Sequence, residues 1–129
     1  MEFLYCFANA SLTQRVLDYL QKKMRSHITS VTVIFLNDRW VIRLKLDTAS
    51  DIELCDDCWA FLNENGLPYR PPSSIFLAFK DLDAGFALTQ VMNRRHVAIV
   101  SHGTPNPEEV GCFQEQFVAG LGYCPQSLV

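Results

Sequence analysis

The sequence predicts an α+β / α/β protein, one globular domain over residues 1–129, with helices packed on a single mixed sheet. Its expected order is ferredoxin-like (split βαβ), β-α-β-β-α-β, extended by α-β-α. Three observations lead there. An aromatic-rich alternating segment opens the chain at residues 2–7. Two β-rich runs, 30–36 and 39–46, are separated only by Asn37-Asp38. Segments of helical period lie between and after such runs.

Taken in order, Phe3, Tyr5 and Phe7 alternate with Leu4 and Cys6 as in a half-buried strand. Ser11 followed by Gln14 has capping-box spacing, and Leu12, Val16, Tyr19, Leu20 and Met24 recur at helical steps to about Ser26. Asn37 and Asp38 tolerate the left-handed backbone of a tight turn, so a hairpin follows. A two-residue turn pairs Phe35 with Trp40, Val33 with Ile42 and Val31 with Leu44 on a core face. It places Leu36 with Arg39, Ile34 with Val41, Thr32 with Arg43 and Ser30 with Lys45 on a mixed, basic face.

Ser50 and Glu53 make a second capping box for a helix over 51–64. Its stripe is Ile52, Cys55, Trp59 and Leu62, and Asn65-Gly66 offers a left-handed stop. A proline loop covers 66–74. Residues 74–79 read as a short buried strand, 83–93 as a helix and 96–101 as a strand parallel to the previous one. Asn106, Pro107, Glu108 and Glu109 open a last helix whose stripe is Val110, Phe113, Phe117 and Leu121.

The net charge of −3 gives no global attraction to polyanions, and no apolar run approaches the roughly 18 residues of a membrane span. The start of the chain lacks a basic region before its short apolar stretch, so a cytoplasmic location is expected. Five cysteines at irregular spacing read as reduced thiols. Cys55-Asp56-Asp57-Cys58 lacks a second ligand pair and is ringed by acids, which disfavours both a zinc site and a reactive thiolate. No cofactor and no metal is therefore expected.

Charge is segregated. Residues 14–45 hold seven Lys/Arg against two Asp, whereas 46–69 hold six acids and no Lys/Arg. Arg39, Arg43 and Lys45 beside Phe3, Tyr5 and Phe7 would form a face of the kind single-strand nucleic-acid binders use. The third strand lacks the Gly-containing pattern of an RNA recognition motif, so nucleic acid is not the expected partner. A second candidate is Ser101, His102 and Thr104, at the end of the last strand and ahead of a helix N-terminus, where α/β sheets commonly meet small anionic ligands.

No nucleophile elbow, phosphate loop or metalloprotease helix occurs, so the sequence leans away from an enzyme. The expected function is a non-enzymatic protein-interaction or regulatory module. It would bind another protein or a second copy of itself, as a dimer, through Arg39, Arg43 and Lys45, a sheet face or a sheet edge. The alternative is a small-ligand or anion-binding domain centred on Ser101, His102 and Thr104.

Overall fold

The computed structural model describes residues 1–47 and 51–129. Five strands, β1 (Glu2–Phe7), β2 (Ile28–Leu36), β3 (Arg39–Leu46), β4 (Leu67–Pro68) and β5 (Ala98–Gly103), form one sheet in the order β4-β1-β3-β2-β5. Every neighbouring pair is antiparallel. Five α-helices surround it: α1 (Ala10–Lys23), α2 (Ile52–Asn65), α3 (Ser73–Asp83), α4 (Leu88–Arg95) and α5 (Pro107–Leu121).

The hairpin register is the expected one at all seven pairs. Strand alternation then builds two cores. Val31, Val33, Phe35, Trp40, Ile42 and Leu44 join Tyr5 and Phe7 beneath α1, α2 and α5. Ile34 and Val41 face the opposite way, beneath Ile75, Ala78, Phe79 and Leu82 of α3 and Val91 of α4. The turn itself closes without a left-handed residue, since neither Asn37 nor Asp38 has a positive φ. The C-terminal segment braces it instead. Ser127 Oγ donates to the Asn37 carbonyl at 3.2 Å, and Trp40 Nε1 donates to the Ser127 carbonyl at 2.7 Å.

Several expectations are corrected. Residues 74–79 belong to α3, because Ile75, Ala78, Phe79 and Leu82 continue a helical stripe past Lys80 and Asp81. Residues 84–87 separate α3 from α4, so the helix expected over 83–93 lies at Leu88–Arg95. The last strand is consequently not parallel to a preceding neighbour; β5 joins the sheet edge antiparallel to β2, and the sheet is not mixed. Asn9, not Ser11, caps α1 by accepting from the Leu12 N–H at 2.9 Å, and the Ser11 hydroxyl bonds the Val129 carbonyl.

In α2 the cap is Asp51, accepting from the Glu53 N–H, while the expected Ser50 lies outside the described residues. Its buried face is Cys55, Cys58 and Leu62, with Ile52 and Trp59 turned outward at 79% and 53% exposure. Gly66 ends α2 in extended conformation rather than left-handed, at φ −154°. Glycine is needed there for another reason: a Cβ would lie 2.5 Å from the Cys6 carbonyl oxygen and 2.6 Å from the Phe7 ring.

Candidate functional site

The basic residues of β3 do not share a face with the aromatic residues of β1. Phe3, Tyr5 and Phe7 stand opposite Leu44, Ile42 and Trp40, on the α1/α2/α5 side, so alternation sends Arg39, Arg43 and Lys45 to the other side. There α3 covers the middle of the row. Arg43 is 2% exposed, its guanidinium 4.5 Å from the centre of the Phe79 ring. Its Nη1 and Nη2 donate to Asp83 Oδ2 and Oδ1 at 3.1 and 2.9 Å. Lys45 Nζ donates to the same Oδ1 at 2.8 Å.

Burial works to raise the Asp83 pKa, but the hydrogen bonds from Lys45 and Arg43 outweigh it and hold the carboxyl below its ordinary range. One carboxylate therefore serves two cations, with Glu2 on β1 opposite Lys45.

A transverse row connects this cluster to the sheet edge. Arg43 on β3 stands opposite Thr32 on β2, and Thr32 stands opposite His102 on β5. The buried Thr32 hydroxyl lies 2.6 Å from His102 Nδ1. Burial and the positive charges of Arg43 and Lys45 push the His102 pKa down, against the opposing pull of Asp83. The shift favours the neutral imidazole, and among the described residues no hydrogen bond reaches Nε2. Two residues predicted from sequence for different sites, Lys45 and His102, flank the Arg43–Asp83 ion pair, in which only Arg43 is buried.

The other candidates separate. Arg39, 44% exposed, sits at the far end of β3 with its Nε and Nη2 on Asp38 at 3.2 and 2.8 Å. Ser101 stands opposite Val33, is buried on the α1/α2/α5 side, and its hydroxyl has no hydrogen-bond partner among the described residues. Thr104 is exposed beyond the end of β5. Thr32 and Asp83 went unassigned from sequence. Thr32 was already opposite Arg43 in the hairpin register, whereas nothing local connects Asp83 to either.

The two sheet edges differ. At one, β4 is two residues long, contains Pro68, and leads to Pro71-Pro72, which have no N–H to offer another strand. At the other, six-residue β5 has no strand beyond it among the described residues. Its register shifts between the pairs Val33–Ser101 and Ile34–Ile99, so Val100 is a bulged residue. A groove of about 260 Å³ beside it is lined by Ile99, Val100, Glu109, Cys112, Phe113 and Gln116.

Hydrogen-bond alternation fixes which backbone groups of β5 are open. The Leu4 carbonyl accepts from the Tyr69 N–H on the β4 side, so Phe3, Tyr5 and Phe7 direct their backbone groups toward β3. Carried across β3 and β2, the alternation pairs Ser101 and Gly103 with β2 and turns the His102 N–H and C=O outward. His102 is open in both its backbone and its ring.

The thiols of α2 belong to the core. Cys55 and Cys58 are buried, and burial together with Cys55 pushes the Cys58 pKa up to about 12. Among the described residues no group of three or more His, Cys, Asp or Glu is placed to hold a metal ion, and no helix is long and apolar enough to cross a membrane.

Neither a protein-family model nor a curated protein matches this sequence. The fold is similar to that in the crystal structure of the C-terminal domain of YpbH, at 13% sequence identity and a TM-score of 0.50, covering 81% of this chain and 90% of that one. At this identity the likeness concerns the fold alone.

Proposed function

We propose that this chain is a non-enzymatic interaction module that takes up an extended segment of a partner protein as an added strand along β5. One observation carries the reading: both faces of the sheet lie under helices and one edge is closed by prolines, while among the described residues β5 ends the sheet with its outward backbone groups unpaired. Unpaired strand edges template β-augmentation, in which backbone hydrogen bonds supply affinity and alternating side chains supply specificity. The bulge at Val100 works against indiscriminate pairing and favours a partner shaped to it.

The strand order β4-β1-β3-β2, all antiparallel, supports reading the first part of the chain as a split βαβ unit to which α3, α4 and β5 add this edge. A cytoplasmic setting suits five free cysteines.

The test is amide mapping by NMR with a capped eight-residue peptide of alternating valine and threonine. The expected result is chemical-shift change centred on residues 98–103, retained in His102→Ala and lost in His102→Pro, which removes the outward N–H. Changes centred on α2, or equal binding by both variants, would contradict it.

A further inference from the structure

The transverse row Arg43–Thr32–His102 ends at the open edge, so a strand added there contributes the next residue in that row. Resting on the β5 reading above, we infer that the partner segment carries a carboxylate side chain directly opposite or diagonal to His102, with apolar neighbours on its other face. The chemistry follows from what the row presents. Arg43 and Lys45 share the single carboxylate of Asp83, and Lys45 keeps part of its side chain exposed. His102 faces the same side with its Nδ1 occupied by Thr32. A carboxylate opposite or diagonal to His102 lies within reach of that ring and can accept from its Nε2–H, whereas Arg43 and Lys45, two strands further in, contribute only a longer-range field.

The opposite face sets the alternation. Val100 and Ser101 point toward α5, where Val100, Phe113 and Cys112 line the groove, so the residues adjoining the carboxylate in the partner are apolar and small enough to enter it. A second copy of this chain fits less well. In an antiparallel pairing of two β5 strands, β5 itself has no carboxylate to offer His102.

The charged groups acting on His102 are Arg43 and Lys45 on β3 and Asp83 at the end of α3, with Glu2 on β1 standing beyond them opposite Lys45. A partner carboxylate beside the ring would favour its protonated form, so binding tightens as pH falls from 7.5 toward 6.

The experiment compares two capped eight-residue peptides by fluorescence anisotropy. Both alternate valine with threonine; one has a central glutamate on the threonine face, the other glutamine there. The expected result is binding about fivefold tighter for the glutamate peptide at low salt. That preference should vanish in His102→Gln, which leaves the Arg43–Asp83 pair intact, and shrink in 0.5 M salt (a concentration of roughly this order screens exposed charges). Equal binding of both peptides, mapped to β5, overturns the carboxylate inference and leaves the edge reading standing. Absence of binding by either overturns both. A glutamate preference that survives His102→Gln assigns it to another surface and overturns the inference. Sedimentation showing a dimer whose formation blocks the peptide would make a second copy the occupant.

Discussion

The two faces of the sheet are covered by helices in different ways. Beneath α1, α2 and α5 the core carries no charge, and Phe35 and Phe113 each make ring contacts with Trp40 and Phe117. Beneath α3 and α4 the apolar patch is smaller, and its boundary is a buried guanidinium held by one carboxylate. The first arrangement needs only matching volume. The second needs a particular partner at a particular place, because an unpaired buried charge is far more costly than a missing methylene. That face is therefore position-specific, and its row Arg43–Thr32–His102 ends at β5, where the partner is proposed to bind.

The largest effect expected tests the apolar face. Trp40→Ala removes a fully buried ring and its bond to Ser127, and should destabilise by about 3–5 kcal/mol in urea denaturation. Next comes the ionic face. Asp83→Asn leaves Arg43 buried without its carboxylate; because Asp83 is itself 42% exposed, the loss should be about 2–3 kcal/mol. Arg43→Met, which removes the charge and keeps an apolar chain against Phe79, should cost clearly less than Asp83→Asn. Equal costs would show that packing, not charge, holds α3 to the sheet. Gly66→Ala forces a Cβ against the Cys6 carbonyl and the Phe7 ring, for a loss of about 1–3 kcal/mol.

Acid provides a subtler probe. The Asp83 pKa is depressed in the fold, so its contribution is present above the unfolded value near 3.8 and is lost as pH falls through the lower folded value. His102 is also depressed. Its unfolded form takes up a proton first, so stability declines slightly as pH falls from about 6.5 toward its folded pKa. Denaturation curves between pH 7 and 3 should show both steps, with the lower one diminished in Asp83→Asn and the upper one absent in His102→Ala. The smallest effect is expected at Trp59→Ala on the exposed side of α2, within about 0.5 kcal/mol.

The same contrast explains how much could be read from sequence. Alternation in residues 30–46 gave the hairpin register, and with it the apolar face, because period-two burial leaves one solution. The mixed row of Arg39, Arg43 and Lys45 looked like open surface. The elements that cover it, α3 and α4, begin as the run Ser73 to Phe79, where apolar residues are too dense for period alone to distinguish strand from helix. With α3 misread, Asp83 had no reason to meet Arg43. His102 was picked out by its position at a strand end, but its grouping with Ser101 failed on alternation, since adjacent strand residues point to opposite faces. Arg43 and His102 are linked only through Thr32, a long-range pairing that needs the full sheet order.

Hydrogen exchange at the His102 amide in the free protein tests the central claim most directly. The open-edge account predicts rapid exchange at His102 between protected amides at Ser101 and Gly103, and slowing at His102 when the valine–threonine peptide is added. A His102 amide already as protected as its neighbours would mean that the edge is occupied within the fold, and would contradict the account.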